Sequence, residues 1–256
     1  MSILEINYDA GRSQKTYEHY VLSLYSAELP KYPNIIGEIN LFLLSTDIIQ
    51  RIRYINLKFD MLIELHKYIF SSDRNLPQNI NKLSEENVLD TFNAVDYVTK
   101  PAIHYKYKLL TEELIFLIKQ IFDNLVQISY IITNSEIFKE TKIISIDNIG
   151  TLLSSKHKES IVHDIIFGSD IYGKDNTKYL EIINDLFNSQ KHCVLNADSH
   201  QLISPEVPSI LSYYAKHNNL NGKIYYHNHN AYHIMMGFQD NILRILKNQK
   251  RYIELV

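Results

Sequence analysis

The stretch GEINLFLLSTDIIQRIRYINLKFDMLIELHKYIF, from Gly37 to Phe70, decides the fold of this chain. It runs for more than 30 residues without an internal glycine or proline, and the stretch from Pro101 to Asn134 does the same. Glycine and proline interrupt nearly every architecture except a long helix. The whole chain has only seven glycines and six prolines in 256 residues. The two stretches therefore predict helices longer than about 25 residues over 38–70 and 101–134.

Both stretches carry an apolar stripe whose members recur at steps of three and four residues, as in an amphipathic helix. The first stripe comprises Leu41, Leu44, Ile48, Ile52, Ile55, Phe59, Leu62, Leu65 and Ile69. The second comprises Leu109, Leu110, Leu114, Leu117, Ile118, Ile121, Leu125, Ile128 and Ile132. We expect the two long helices to pack antiparallel in a helical bundle, together with shorter helices.

Weaker signals complete the predicted architecture. Shorter helices are expected at about 14–27, 84–98, 149–167, 176–196 and 231–249, with Asn148 and either Asn228 or Asn230 as caps. Residues 142–146 fit either a short strand or a buried loop. Two β-branched or aromatic runs at 209–215 and 223–228 flank Asn221-Gly222, which predicts a β-hairpin with Gly222 at positive φ. The predicted fold is mainly α, in one domain over 1–256, with an N-terminal extension over 1–36 and the hairpin over 209–228.

Composition narrows the class of protein. The chain has 26 basic and 29 acidic residues, so a surface that is basic throughout, as in many nucleic-acid-binding domains, is not expected. No uninterrupted run of about 18 apolar residues exists, so no membrane-spanning helix is predicted. The N-terminus lacks the basic and apolar regions of a secretory signal. The single cysteine, Cys193, is expected to be a buried thiol, and we expect a cytoplasmic protein without a membrane partner.

The predicted helix at 176–196 carries the first candidate site. Asn184, Asn188 and His192 are spaced four residues apart, with Lys191 beside them, so the four lie on one side of the helix. One interpretation is a solvated face. The other is a cleft or a dimer interface, where lysine and histidine contact phosphate or transfer a proton.

The segment Asn184-Asp-Leu-Phe-Asn188-Ser-Gln-Lys191-His192 resembles the N-x-x-(R/K)-(x)-H region near the last helices of HEPN-type proteins. These are helical bundles, often dimeric, of bacterial toxins, defence systems and nucleotide-binding partners. The resemblance covers about residues 100–200 in the present numbering. Ribonucleases of that family carry arginine, four to six residues and then histidine, and no arginine stands at that spacing before His192.

The resemblance therefore implies a non-catalytic HEPN-like protein that binds protein or nucleic acid, in bacterial stress or phage defence, with a homodimer and an RNA or protein partner as candidate assemblies. The alternative is a degenerate HEPN ribonuclease that uses His192 and Lys191, with Asn188 and Asn184 nearby.

A second cluster, Tyr225-Tyr-His227-Asn-His229-Asn-Ala-Tyr-His233, supports a third hypothesis. Two histidines one residue apart on a strand share a face, and a third four residues later would complete a metal site. A metal-dependent enzyme built on His227, His229 and His233 is thus an alternative. The favoured interpretation is that these histidines belong to a turn and a helix cap, with no metal and no cofactor. No phosphate-binding loop, dinucleotide fingerprint or hydrolase motif is present, so the sequence leaves open whether the protein is an enzyme.

Overall fold

The computed structural model describes residues 3–15, 29–32, 41–73, 103–193 and 204–256. Within these ranges the protein is mainly helical, as the sequence predicts, and it also has a small three-stranded sheet. The helices are α1 (Leu41–Asp73), α2 (Ile103–Thr133), α3 (Ser135–Thr141), α4 (Ile149–Leu152), α5 (Ile161–Phe167), α6 (Tyr179–His192) and α7 (Ala231–Leu255). The strands are β1 (Ile3–Ile6), β2 (Ser209–Ala215) and β3 (Ile224–Asn230). The predicted helix at 84–98 and most of the one at 14–27 lie outside the described residues.

The two long helices are confirmed, with 33 residues in α1 and 31 in α2. Arg51 near the start of α1 donates to the Gln120 side chain, and Lys58 pairs with Glu113 at 2.9 Å, so the helices run in opposite directions. The described members of both predicted stripes are almost all buried or half-buried. Leu109 is the exception, since it is exposed on the outer side of α2.

Helix α2 forms the centre of the core. Apolar residues on several of its sides are buried, including Ile115, Phe122 and Val126 beyond the predicted stripe. Its segment Tyr105–Thr133 has the length and apolar character of a membrane-crossing helix, but most of it is buried inside the protein. A buried helix of this kind is what the core of a soluble protein contains.

The hairpin is confirmed, with β2 and β3 antiparallel and Ser212 opposite His227. The N-terminal strand β1 was not expected, and it pairs parallel to β3, so that β3 is the central strand. The sequence of β1 looks irregular because most of its side chains are exposed and its partner strand lies more than 200 residues away. Local periodicity carries no signal of such a pairing.

The prediction for the hairpin turn is wrong in one respect. Gly222 does not have positive φ, whereas His217 and Asn218 adopt φ values of 56° and 53°. The connection is longer than a two-residue turn: a 3-10 turn at Lys216–Asn218 is followed by a turn in which the Gly222 N–H donates to the Asn219 carbonyl oxygen at 3.1 Å. A side chain at position 222 is therefore not expected to incur the free-energy cost of a left-handed backbone conformation.

The single helix predicted over 149–167 is also wrong, because α4, a 3-10 turn at Ser155–His157 and α5 replace it. The side chain of Asn148 caps α4, as predicted, and that of Ser160 starts a new helix by accepting from the His163 N–H at 3.1 Å. Serine side chains compete for backbone bonds in this way and so break a helix. Residues 142–146 form a loop.

The last two helices differ from their predictions at the ends. Helix α6 begins at Tyr179, after Lys178 in the left-handed region, and its described part ends at His192. Helix α7 is capped by Asn230, one of the two candidates, and continues to Leu255.

Candidate functional site

The four polar residues of the first candidate site do not share one environment on α6. Asn184 is buried, and its Oδ1 would lie 3.4 Å from a Cβ atom placed on Gly150 of α4. Asn188 is half-buried, whereas Lys191 and His192 are exposed. Asn184 is therefore a packing residue between two helices, and the accessible part of the site consists of Asn188, Lys191 and His192.

An aromatic ring that the sequence analysis did not single out lies beside Lys191. The Lys191 ammonium is 5.6 Å from the centre of the Phe187 ring, and Lys119 of α2 approaches the same ring at 5.5 Å. Lys119 is almost fully buried and bonds both carboxylate oxygens of Asp123, at 2.6 and 2.7 Å. Lys191 is thus engaged by an aromatic surface rather than by an acid–base partner.

His192 is held through its backbone. The side-chain amide of Asn218 donates to the His192 carbonyl oxygen at 2.8 Å, while the imidazole is exposed. In the described parts of the chain, no hydrogen bond or ion pair connects this ring to Lys191 or Asn188. The structure does not assemble a general acid and base from these three side chains.

Asp185 is a titratable group on the same helix that the sequence analysis missed. Burial raises the pKa of Asp185 to about 6, and the nearby Glu181 carboxylate raises it further while Lys216 opposes the shift. This carboxyl group therefore changes charge just below neutral pH. Its burial comes from tertiary packing, which no local sequence pattern indicates.

The histidine cluster has a well-defined hydrogen-bond order. His227 and His229 are fully buried on β3, with Nδ1 of His227 3.1 Å from Nε2 of His229. The backbone N–H of Tyr8 donates to Nδ1 of His229 at 2.9 Å. Because that nitrogen accepts, neutral His229 carries its proton on Nε2 and donates it to Nδ1 of His227. The proton of His227 is then on Nε2, which has no hydrogen-bond partner in the described parts of the chain.

His233, in the first turn of α7, continues the same arrangement. Its Nδ1 accepts from the backbone N–H of Ala10 at 3.2 Å and lies 3.2 Å from a carboxylate oxygen of Asp9. The three histidines thus bind the N-terminal segment and each other, and within the described ranges no group of three or more His, Cys, Asp or Glu residues is arranged to hold a metal ion.

Burial keeps the central pair neutral. It lowers the pKa of His227 to about 4. It also lowers the pKa of His229 to about 3, with a further contribution from the neighbouring His227. Two uncharged imidazoles fit a core position, where a charged group would be costly without a partner.

A polar network on α7 was also missed. Asn248 accepts from the Gly173 N–H and donates to the carbonyl oxygens of Ile165 and Gly173. Arg244 donates to the Gly173 carbonyl and to the Asn241 side chain. Burial lowers the pKa of Arg244 to about 10, although Asp175 opposes the shift. The network fixes the loop between α5 and α6 onto α7.

Exposed apolar residues lie on the outer side of the two long helices. Seven exposed large apolar residues form this surface, which we call the α1–α2 face: Tyr54, Leu57, Met61, Tyr68, Tyr105, Leu109 and Phe116. Met61, Tyr68 and Leu109 of this face line a groove of about 640 Å³, together with Glu64 of α1 and Lys106 and Glu113 of α2. Leu109 belongs to the predicted stripe of α2, and the other six residues lie outside both predicted stripes.

Comparison of the chain with protein-family models, curated proteins and solved structures finds no match. The resemblance to HEPN-type proteins therefore rests on the α6 motif and on the helical architecture alone.

The described part of the structure contains free Cys193 in a buried position, as predicted.

Proposed function

We propose that this chain is a non-catalytic, HEPN-like antiparallel helical bundle that works by binding protein, and that its partner is a second copy of itself. The observation that carries the proposal is the α1–α2 face. Exposed large apolar side chains that line a common groove, as Met61, Tyr68 and Leu109 do, mark interaction sites in proteins. The opposite directions of α1 and α2 support the bundle architecture.

The spacing on α1 favours a helical partner. Tyr54, Leu57, Met61 and Tyr68 are separated by three, four and seven residues, which is the repeat of a coiled-coil contact. This second stripe is distinct from the buried stripe that packs on α2. A helix that has already filled its own core contact and still presents a heptad stripe is suited to pack against a helix of another molecule.

Charge favours protein over nucleic acid. Arg51 pairs with Asp47, Lys58 with Glu113 and Lys108 with Glu112, so these three cations of the long helices are already neutralised, whereas Lys106 of the groove forms no ion pair within the described residues. Binding to a phosphate backbone gains its free energy from unpaired lysine and arginine. An apolar surface bordered by neutralised ion pairs instead resembles a protein interface.

The groove is complementary to itself. Glu64 of α1 and Lys106 of α2 both line it, and neither forms an ion pair within the described residues. A twofold axis through the groove brings Glu64 of one protomer to Lys106 of the other, twice per dimer. This pairing is the reason to choose a second copy over an unrelated partner.

Sedimentation velocity over a range of concentrations tests the proposal. The wild-type protein is expected to dimerise, and Met61→Glu with Leu109→Glu should weaken the dimer by about 100-fold or more, because two carboxylates enter a desolvated contact. Leu243→Glu, on the exposed side of α7, is the matched control and should leave the dimer unchanged.

Charge reversal tests the pairing itself. Glu64→Lys should weaken the dimer, and adding Lys106→Glu should restore it. A wild-type protein that stays monomeric at its highest soluble concentration, or a dimer indifferent to both sets of variants, would overturn the proposal. Binding of a different protein at this face by a monomeric chain would also overturn the choice of partner.

The ribonuclease alternative predicts an effect that we do not expect. His192→Ala should leave the free energy of unfolding within about 0.5 kcal/mol, because the ring is exposed and makes no side-chain bond within the described residues. Neither RNA cleavage nor sedimentation should change. The measurement is a side-by-side cleavage assay of wild type and variant on single-stranded RNA. Cleavage by the wild type that disappears in the variant would favour the ribonuclease.

A further inference from the structure

The N-terminal segment is attached through histidine acceptors. His229 at the end of β3 and His233 in the first turn of α7 receive the backbone N–H groups of Tyr8 and Ala10. An imidazole Nδ1 accepts such a bond only while it carries no proton. We propose that the segment Ile3–Arg12 is an acid-released strap, held against β3 by the neutral His229 and freed when that imidazole is protonated. This inference is independent of the proposed dimer.

The other attachments of the strap lie mostly at the surface, including a bond from the Asn228 side-chain amide to the Glu5 carboxylate at 3.1 Å. Strand β1 has four residues, lies at the edge of the sheet, and has mostly exposed side chains. Its main apolar anchor is Tyr8, whose ring meets Tyr179 edge-on at a centroid distance of 5.1 Å. The ion pair between Arg12 and Asp240 is exposed and contributes little in water. A segment with so few buried contacts opens at a lower free energy than the core does.

Protonation acts on the strap first because the strap covers the acceptor. If Nδ1 of His229 gains a proton, its N–H points at the backbone N–H of Tyr8, so two hydrogen-bond donors face each other. The neighbouring His227 carries no negative charge that could stabilise the protonated ring. Departure of the segment is the smallest movement that gives this nitrogen access to water. The strand pairing from Ile3 to Ile6 is lost with it, which uncovers the edge of β3.

The direction of the pH dependence follows from the difference in histidine pKa between the held and the released state of the strap. Burial lowers the pKa of His227 to about 4 and that of His229 to about 3, from an ordinary value of 6.5. The released state therefore binds protons more readily, and the held state is fully favoured only above about pH 6.5. Below that pH the ratio of released to held molecules rises about tenfold per pH unit for each imidazole that titrates.

Other ionisable groups surround the strap. They are Glu5, Tyr8, Asp9 and Arg12 in the segment, Tyr214 on β2, Tyr225 and Tyr226 on β3, Asp175 before α6 and Tyr179 on it, and His233 and Asp240 on α7. His233 accepts from the Ala10 N–H and also lies 3.2 Å from a carboxylate oxygen of Asp9. The main effect therefore comes from His229, which accepts the Tyr8 N–H directly.

Hydrogen–deuterium exchange of the full chain between pH 7 and pH 5 tests the proposal. After correction for the intrinsic exchange rate, opening of peptides that cover residues 3–12 should increase at least about tenfold per unit below pH 6.5. Peptides from α2 should keep their protection. An opening constant for 3–12 that is independent of pH would overturn the strap, as would a parallel loss of protection in α2.

Variants separate the histidines. His229→Asn keeps an oxygen acceptor close to the position of Nδ1 but cannot gain a proton, so the pH dependence of opening should decrease by about one proton. His192→Asn, at an exposed histidine, is the control and should retain the wild-type dependence. A His229→Asn protein with the full wild-type dependence would contradict the proposal. If that variant fails to fold, the wild-type exchange data decide the question alone.

Discussion

Gly237→Ala is expected to destabilise the protein by about 3 kcal/mol, because the added methyl group has no space in the core. A Cβ atom at Gly237 would lie 2.5 and 2.6 Å from two ring carbons of Tyr179 and 2.6 Å from the hydroxyl oxygen of Tyr8. Real Cβ contacts are longer than this. The ring or the helix must therefore move.

Tyr179 has little freedom to move. It is fully buried, and its hydroxyl donates to the Ile234 carbonyl at 2.8 Å. Its ring also meets Phe122 edge-on at 6.0 Å. Alanine favours a helix over glycine by about 1 kcal/mol, which works in the opposite direction but is smaller than the clash. The net effect should therefore remain a loss of stability.

Urea denaturation of wild type and Gly237→Ala measures this loss directly. Lys247→Ala, at an exposed site on the same helix, is the control and should change the free energy of unfolding by less than about 0.5 kcal/mol. A Gly237→Ala protein as stable as the wild type would show that α7 and α6 do not approach as closely as described.

Asn248→Ala is expected to cost about 3 kcal/mol for a different reason. Asn248 is almost fully buried and makes three hydrogen bonds, one from the Gly173 N–H and two to the Ile165 and Gly173 carbonyl oxygens. Alanine at position 248 cannot make these bonds, so the three buried backbone groups would have neither the Asn248 amide nor water as a hydrogen-bond partner. Each unsatisfied buried group costs about 1–3 kcal/mol. Arg244 still donates to the Gly173 carbonyl oxygen in the variant, which limits the total loss of stability.

The measurement combines denaturation with hydrogen–deuterium exchange of the loop. Asn248→Ala should lower the free energy of unfolding and increase exchange at Gly173 more than in α2. Gln127→Ala, which removes a single exposed side-chain bond to the Asp147 carbonyl, is the control and should cost less than about 1 kcal/mol. Equal effects of the two substitutions would contradict a structural role for the buried network.

The candidate sites show where prediction from sequence stops. The spacing of Asn184, Asn188 and His192 correctly placed them on one helix, but helix periodicity does not reveal which neighbours cover each turn. Packing against α4 buries Asn184, while His192 stays exposed at the end of α6. On α1 the predicted stripe contains buried residues, whereas the exposed set of Tyr54, Leu57, Met61 and Tyr68 received no role from the sequence, because spacing alone does not show that an apolar residue is exposed.

The sequence by itself determined the features that depend on neighbours along the chain. The long helices, the hairpin strands and the Asn148 cap follow from local periodicity, the absence of glycine and proline, and side-chain bonds to nearby backbone. Only the tertiary structure decided the features that join distant segments. Strand β1 meets β3, and Tyr8 meets His229, across more than 200 residues. Whether a histidine is a neutral core acceptor, or a tyrosine an exposed contact, depends on which distant groups exclude water from it, and no local pattern encodes this.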